Sequence, residues 1–340
     1  MTQASSPHDA HRTYVNPVYG NYFADPFVFH HEGQYYAIGT GPEESQGTLG
    51  NRIFPMLRSR DLSDWQPLGP ALTRPPKQLG DNFWAPEIAY ANGLFHLYYS
   101  VGHGDKRHQL RVATSSAPGG PYEDVGHALI SPDTCAFAID PPPFRDRDGR
   151  WYLFYARDFL DFDPESQGPR RIRPGTALVV QELVDMVHLG ERSGVVLRAS
   201  HDWQRFQANR PMYGELYDWH TLEGPSVLER EGKYYCLYSG GCWQTANYGV
   251  DYAVADDVLG PYSGSENCVQ PRVLKAVPGQ VLGPGHNSVV IGPDGRTPYI
   301  VYHAWDAQMT ARRMCIDELL WTAEGPRSAG PTWTPQRLAL

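Results

Sequence analysis

The pattern that decides the fold first appears at Ala24-Asp25-Pro26-Phe27, followed by Glu32-Gly33 and then by Tyr35-Tyr36-Ala37-Ile38. An apolar segment, an x-Gly pair and an aromatic-rich segment are typical of a β-hairpin, because glycine supplies the positive φ that a primed turn needs. The same succession recurs at Trp84-Ala85-Pro86-Glu87, Ile139-Asp140-Pro141-Pro142, Glu223-Gly224-Pro225-Ser226 and His286-Asn287-Ser288-Val289. The sequence therefore predicts five related hairpins.

The five copies share a common spacing. Counted from the residue before the proline, or from Asn287 in the last copy, the turn glycine follows after 8, 8, 9, 8 and 8 residues. The 340 residues give each copy 340/5 = 68 residues, which is more than the roughly 40–50 that a four-stranded propeller blade needs. We therefore predict an all-β, five-bladed β-propeller in a single domain, residues 1–340 with the core at about 20–321. A β-sandwich with many hairpins is the alternative.

Other segments fit this plan. Further strand candidates follow three of the hairpins, at Leu110–Thr114, Ala177–Val180 and Asp251–Val254. Glu182–Leu189 is the one helix candidate, and the polar stretch Asp161–Arg173 is predicted to be a long loop on one face. The Pro- and Thr-rich tail after Trp321 is too short for a second domain.

Composition and charge exclude several classes of function. With 29 Lys and Arg against 38 Asp and Glu, the net charge is −9, which disfavours nucleic acid and anionic lipid as partners. The basic groups Arg170-Arg171-Arg173 and Arg312-Arg313 are too short to track phosphates, and apolar runs fall far short of the roughly 18 residues of a membrane helix. The oligomeric state cannot be read from these features.

The cellular compartment is judged from the N-terminus and the cysteines. Met1–Gly20 is polar and lacks the apolar core of a signal peptide, so we expect a cytoplasmic protein, or a secreted one if a leader has been removed. The five cysteines are odd in number and form no CxxC pair. Reduced thiols are therefore expected, without a disulfide framework or a zinc knuckle.

Three acidic residues occupy almost the same place in three copies of the repeat. In a propeller the first strand of each blade lines the central channel, so Asp25, Asp140 and Glu223 should converge at one face. Converging carboxylates separate their pKa values, which leaves one acid protonated and another ionised. Glycosidic hydrolysis needs such a pair. A single Asp-Pro is ordinarily a turn or cap residue, but three acids in one register favour a catalytic site.

The five motifs, taken in order from Ala24 to about Trp321, resemble glycoside hydrolase family 43. The resemblance implies a five-bladed propeller that hydrolyses arabinofuranosides and xylosides with inversion. It also implies roles for three residues: Asp25 as the general base that activates water, Glu223 as the general acid, and Asp140 as the carboxylate that orients the acid and raises its pKa.

The resemblance extends to residues around these acids. His286 matches a central histidine that in many members lies near a calcium ion in the channel, often through waters, although a histidine satisfied within the channel is an equal alternative and calcium prefers oxygen ligands. No cofactor is expected for the chemistry itself, and a structural Ca²⁺ in the channel is possible. Arg312, rather than Arg313, is expected to contact sugar hydroxyls, since adjacent strand residues point to opposite faces.

Aromatic side chains near the acids could stack on a sugar ring. The candidates are Trp84, Phe27 and Trp243, with Trp84 favoured because it begins the second repeat. Packing between blades is the alternative explanation for each of them.

The substrate is inferred from these features together. The chain has no GxSxG, HExxH or Walker motif, and its length leaves no room for the second β-sandwich domain that is common in xylosidases of this family. We expect an exo-acting α-L-arabinofuranosidase that acts on arabinose- or xylose-containing oligosaccharides. The alternatives are a β-D-xylosidase, an endo-arabinanase and a non-catalytic carbohydrate-binding propeller.

Overall fold

Successive antiparallel sheets follow one another along the chain in the computed structural model, which describes residues 11–42, 52–162 and 172–340. The middle of the predicted loop Asp161–Arg173 lies outside the described residues. In chain order the strands are β1 (His11–Tyr14), β2 (Ala24–His31), β3 (Gln34–Thr40), β4 (Arg52–Ser59), β5 (Gln66–Thr73), β6 (Asn82–Ala91), β7 (Leu94–His103), β8 (Lys106–Ser115), β9 (Glu123–Ile130), β10 (Ala138–Ile139), β11 (Pro143–Arg145), β12 (Trp151–Phe159), β13 (Gly175–Leu183), β14 (Leu189–Leu197), β15 (Arg205–Met212), β16 (Glu215–Arg230), β17 (Lys233–Gly240), β18 (Gly249–Ala255), β19 (Leu274–Lys275), β20 (Val281–Ile291), β21 (Pro298–Asp306), β22 (Arg312–Thr322), β23 (Gly325–Ser328) and β24 (Gln336–Ala339).

These strands form the five blades of a β-propeller, as the repeats predicted. Blades 1, 2 and 5 are separate sheets of four strands, β2-β3-β4-β5, β6-β7-β8-β9 and β20-β21-β22-β23. Blades 3 and 4 share one sheet because β13 and β16 pair in parallel at Gly175 with His220 and at Thr176 with Thr221. The three further strand candidates lie within β8, β13 and β18, as expected.

Each of the five repeat motifs contains a residue in the left-handed region of φ. This residue is Asp25 (φ 49°), Ala85 (47°), Asp140 (57°), Gly224 (54°) and His286 (49°) in blades 1 to 5. In blades 1, 2, 4 and 5 a register shift marks the same place in the hydrogen-bonding ladder. The conformation is costly for every residue except glycine, so its fivefold repetition shows that the blades share one backbone at the channel.

Hydrogen bonds between blades hold four of these left-handed residues. In each case a side chain of the preceding blade accepts the backbone N–H. The pairs are Asp25 N to His303 Nδ1 (3.1 Å), Ala85 N to Thr40 Oγ1 (2.9 Å), Gly224 N to Asp140 Oδ2 (2.9 Å) and His286 N to Ser239 Oγ (2.7 Å).

In the last repeat the structure places the left-handed residue one position earlier than predicted. Its left-handed residue is His286 and not Asn287, so the spacing to Gly295 is nine residues, the same as from Asp140 to Gly149. Blades 1, 2 and 4 have two-residue primed turns, whereas the turns of blades 3 and 5 are longer loops at 146–150 and 292–297. Aspartate side chains fix these loops by accepting backbone N–H groups, as Asp294 does from Arg296 and Thr297 at 2.9 Å each.

The predicted helix at Glu182–Leu189 is wrong. Leu183 ends β13, Leu189 begins β14, and the two strands pair antiparallel. The Asp185 carboxylate accepts the backbone N–H groups of Val187 (3.1 Å) and His188 (2.8 Å), which stabilises a turn in place of a helix. The described residues contain short 3₁₀ segments but no α-helix. No helix among them is long and apolar enough to cross a membrane.

A short two-stranded sheet joins the two ends of the described chain. β1 pairs antiparallel with β24, from His11 with Ala339 to Tyr14 with Gln336. Tyr14 and Leu338 are buried in one core cluster with Val28 and Val301, which belong to blades 1 and 5. The pairing therefore covers the junction between the first and the last blade. All five cysteines are buried and unpaired.

Candidate active site

Asp25 is a buried carboxylate surrounded by nitrogen atoms. Its Oδ1 lies 3.3 Å from Arg312 Nη1, 3.3 Å from His303 Nδ1 and 3.5 Å from His286 Nδ1. Burial alone would raise the pKa of Asp25, but His286 and Arg312 outweigh it and hold the pKa well below the usual value. Asp25 is therefore ionised and can accept a proton.

Glu223 has the opposite ionisation. It precedes the left-handed Gly224 in β16, and Tyr248 Oη donates a 2.6 Å hydrogen bond to its Oε1. Burial and the negative charge of Asp25 raise the pKa of Glu223 to about 7, against the opposing effects of Tyr248 and Arg312. Glu223 therefore carries a proton below neutral pH and can donate it.

Asp140 connects the two halves of the site. It lies between β10 and β11, is 4% exposed, and accepts the Gly224 N–H through Oδ2 at 2.9 Å. Burial and the nearby Glu223 and Asp25 raise the pKa of Asp140 well above its ordinary value. Because Gly224 follows Glu223 directly, this hydrogen bond fixes the backbone of the candidate acid.

Arg312 links Asp25 to an aromatic wall. Its Nε and Nη2 donate to Tyr22 Oη at 3.1 and 2.7 Å, and its Cζ lies 4.4 Å from the ring centroid of Trp243. The Trp243 ring is stacked with that of Trp305, with centroids 5.7 Å apart. The neighbouring Arg313 points away, toward Asp306 and the Gly20 carbonyl. The structure thus brings Arg312 and Trp243 to the candidate base.

Trp84 and Phe27 lie in different surroundings. Trp84 is half-buried and stacked on His108, with ring centroids 3.9 Å apart. Phe27 is also half-buried, stacked on Phe29 at 6.1 Å and packed against the core between blades 1 and 2. Trp84 likewise packs against a core cluster, so both side chains combine packing with partial exposure, and both stay candidates for sugar contact.

His286 does not supply a directly coordinated calcium site. Among the described residues no group of three or more His, Cys, Asp or Glu side chains is arranged to hold a metal ion. The carboxylate beside His286 is that of Asp25, which is already paired with Arg312. Calcium prefers several oxygen ligands, so these residues do not fit direct coordination, and no step of the chemistry is assigned to a metal.

Several contributors to the site carry no sequence signal strong enough to assign them. Tyr248, Tyr22 and Trp305 lie outside the first strand of each repeat, and only the folded chain brings them to the acids. His303 had a usable signal, since it ends the aromatic strand of the fifth repeat and pairs with Gly285.

The site thus combines an ionised carboxylate, a protonatable carboxyl and a buried arginine on one face of the channel. One carboxylate can activate water while the other carboxyl protonates a leaving oxygen. This is the arrangement that hydrolysis of a glycosidic bond requires.

Known proteins share both this sequence pattern and this fold. A beta-D-galactofuranosidase of Aspergillus niger is 29% identical over 326 residues, which cover 91% of this chain and 83% of that protein. An extracellular endo-alpha-(1->5)-L-arabinanase of Bacillus subtilis is 26% identical over 321 residues, 89% of this chain and 86% of that protein. An extracellular exo-alpha-(1->5)-L-arabinofuranosidase of Streptomyces chartreusis is 26% identical over 296 residues, 83% and 79% of the two.

A solved structure and a family model agree with these relatives. The crystal structure of a thermostable family-43 glycoside hydrolase matches with a TM-score of 0.77 and 30% identity, over 95% of this chain and 98% of that chain. The model of glycosyl hydrolases family 43 matches residues 14–326, a span that includes all five repeats and the three acids. The chain therefore belongs to glycosyl hydrolases family 43.

Proposed function

We propose that this glycoside hydrolase is an inverting, exo-acting α-L-arabinofuranosidase that releases L-arabinofuranose from arabinan- or arabinoxylan-derived oligosaccharides. The observation that carries the proposal is the opposite ionisation of Asp25 and Glu223 on one face of the channel. A sugar-binding module without catalysis would not need an ionised and a protonated carboxyl together.

In the proposed mechanism Asp25 removes a proton from water as the water attacks the anomeric carbon. Glu223 donates its proton to the glycosidic oxygen as the bond to the leaving group breaks. Arg312 and His286 keep Asp25 ionised, while Asp140 holds the backbone of the acid by accepting the Gly224 N–H, and burial together with the charge of Asp25 keeps Glu223 protonated. Because water attacks directly, the released sugar has inverted anomeric configuration.

The preference for a furanoside is supported by the names of the relatives. Two of the three are furanosidases, and the third is named for α-(1→5)-L-arabinan. The ring atoms of β-D-galactofuranose have the same configuration as those of α-L-arabinofuranose, and the sugars differ in the exocyclic chain. A β-D-galactofuranosidase is therefore the second candidate, favoured by the relative with 29% identity.

A panel of substrates tests the proposal. We expect nitrophenyl α-L-arabinofuranoside and linear arabino-oligosaccharides to be cleaved faster than nitrophenyl β-D-galactofuranoside and nitrophenyl β-D-xyloside. Proton NMR of the first product should show the inverted anomer. Faster cleavage of the galactofuranoside would favour the second candidate, a retained anomer would overturn the direct attack of water, and cleavage of none would favour a binding module.

Removal of metal ions should leave the reaction intact. The chemistry assigned here uses only protein carboxyls, and the residues around His286 do not fit direct calcium coordination. Dialysis against EDTA should therefore change kcat/KM for the preferred substrate by less than about twofold. A loss that added Ca²⁺ restores would show that the ion supports the site in a way these residues do not provide alone.

A further inference from the structure

An additional hairpin stands beside the active site and belongs to no repeat. β15 pairs with the first part of β16, from Arg205 with His220 to Met212 with Glu215. Glu223 follows in the same β16, and the strand then continues into blade 4. The hairpin leaves the catalytic face ahead of Glu223, and two register shifts bend it. Its tip lies against blade 3 at Asp158, whose backbone N–H donates to the Phe137 carbonyl, three residues before Asp140. We call residues 205–220 the arch.

The arch reaches across two other blades. Arg210 Nη2 forms a 2.7 Å ion pair with Asp105 Oδ2, which lies in the loop between β7 and β8 of blade 2. Tyr213 Oη donates a 2.7 Å hydrogen bond to Asp158 Oδ2 on β12 of blade 3. A strand that belongs to blade 4 is thus fastened to blades 3 and 2, which holds it over that side of the channel.

The fastening point on blade 2 lies next to Trp84. The loop carbonyl of Gly104 is 2.8 Å from His108 Nε2, and the His108 ring is stacked on Trp84 at 3.9 Å. Trp84 in turn precedes the left-handed Ala85 at the channel. His108 therefore connects the loop that holds the arch to a residue at the channel.

A groove of about 670 Å³ lies between the arch and blade 2. Residues of the arch tip form one wall, residues of the β7–β8 loop form the other, and Ala136 lies four residues before Asp140. The lining residues used here are Lys106, Arg107, Ala136, Met212, Tyr213 and Leu216. It offers an apolar wall opposite cationic side chains, a combination that suits a hydroxylated ring with one apolar face.

Tyr213 is the residue that points to a ligand. It occupies the first position of a primed turn with Gly214, at φ 52°, where asparagine, aspartate or glycine is usual. Its hydroxyl is held by Asp158 while 46% of its surface is exposed. An aromatic residue kept in a strained position with its ring uncovered is a sign of function, and a fixed aromatic face is what a sugar ring stacks on.

The position of the groove relative to the two acids indicates which part of the substrate the groove would bind. The general acid contacts the oxygen of the leaving group, so the leaving sugar must lie on the side of Glu223. The arch includes the first part of the strand that carries Glu223. Arg312, Tyr22 and Trp243 lie on the side of Asp25, where the attacked sugar belongs.

We propose that the groove under the arch is the binding site for the leaving-group end of the oligosaccharide, with the Tyr213 ring as the platform on which one of its sugars stacks. This inference rests on the proposed function for the reaction type, and it adds the residue that selects an oligosaccharide over a simple glycoside. The occupant is a neutral sugar unit of the leaving group.

The variant Tyr213→Asn tests the platform and preserves the turn, since asparagine suits the left-handed position. We expect kcat/KM for arabinotriose to fall about tenfold, which corresponds to about 1.4 kcal/mol. Methyl α-L-arabinofuranoside has no leaving sugar, so its kcat/KM should stay within about twofold. The matched control is Tyr90→Asn, which removes a tyrosine that is 51% exposed near the turn of blade 2, and it should change neither value.

The variant Tyr213→Phe separates the ring from its anchor. It keeps the stacking face and loses the hydrogen bond to Asp158, so it should retain more activity on arabinotriose than Tyr213→Asn. Equal losses on arabinotriose and the methyl glycoside, or no loss on either, would overturn the proposal. If wild type cleaves no arabinoside but cleaves another furanoside, the proposed substrate is wrong, and the same comparison with that sugar's disaccharide and methyl glycoside still tests the groove.

Discussion

Two carboxyl groups of similar chemistry, the buried Asp25 and the half-buried Glu223, have opposite protonation in this molecule because their neighbours differ. Three nitrogen-bearing side chains face Asp25, whereas Glu223 has one hydroxyl donor and the negative charge of Asp25 nearby. The position of each acid follows from the repeat, but its ionisation follows from residues contributed by other strands. Predictions at the level of single residues therefore concern these neighbours.

Replacement of the base should abolish turnover. Asp25→Asn keeps the size of the side chain and removes the proton acceptor, so kcat should fall by about 10²–10⁴ on every substrate. The control is Asp294→Asn, in the loop between β20 and β21, which should leave kcat unchanged. Activity of Asp25→Asn within a factor of a few of wild type would remove Asp25 from the mechanism.

The tyrosine on the acid should control the alkaline side of the pH profile. The reaction needs Glu223 protonated, so kcat/KM should fall as pH rises through about 7. The hydrogen bond from Tyr248 stabilises the ionised form and lowers the pKa, so Tyr248→Phe should raise the pKa of Glu223 and move the alkaline limb to higher pH. Profiles of kcat/KM between pH 5 and 9 measure this, and a limb that stays in place or moves down would contradict it.

Among the elements, hydrogen bonds between blades hold the left-handed residue of four of the five blades. Thr40→Val removes the acceptor of the Ala85 N–H at a residue that is 2% exposed. An unsatisfied buried N–H costs about 1–3 kcal/mol, so the free energy of unfolding should fall by that amount. Thr40→Ser keeps the acceptor and should lose less than half as much in urea unfolding. Equal losses in the two variants would show that packing dominates.

The elements also show how far sequence reasoning extends. Hairpins with a two-residue turn, such as the one at Asn92-Gly93, are local, and their residues alone predict them. In blade 5 the turn is a longer loop, in which the Asp294 side chain accepts the backbone N–H groups of the residues two and three positions later. Because the prediction assumed the shorter turn, it aligned the repeat on Asn287 and not on His286. The arch could not be predicted, because its position depends on Asp105 and Asp158, which are distant in sequence.

The same limit applies to the site. Asp25, Asp140 and Glu223 lie at or next to equivalent places of a repeat, so their convergence could be inferred from the repeat, whereas His286 was indicated only by the family resemblance. Tyr248 and Tyr22 come from segments without a repeating pattern, so only the fold identifies them.

At the scale of the whole molecule, stability depends on how the first and last blades are joined. Leu338 of β24 is fully buried in the cluster shared by blades 1 and 5. Leu338→Ala should cost about 2–5 kcal/mol through lost burial and a cavity, and the melting temperature should fall. The kcat of the remaining folded protein should stay near wild type, because the change is remote from the acids. A melting temperature equal to that of wild type would show that β24 contributes little to closure.

The five left-handed residues at the channel have a consequence for how such a protein can diverge. Aspartate, alanine, aspartate, glycine and histidine occupy one backbone conformation in five blades. The cost of that conformation, about 1–2 kcal/mol for a residue other than glycine, is borne by the fold whichever side chain is present. Selection can therefore exchange the functional group of one blade without rebuilding its main chain. In blade 2 that place carries only the methyl group of Ala85, so a single substitution there would present a new side chain at the channel.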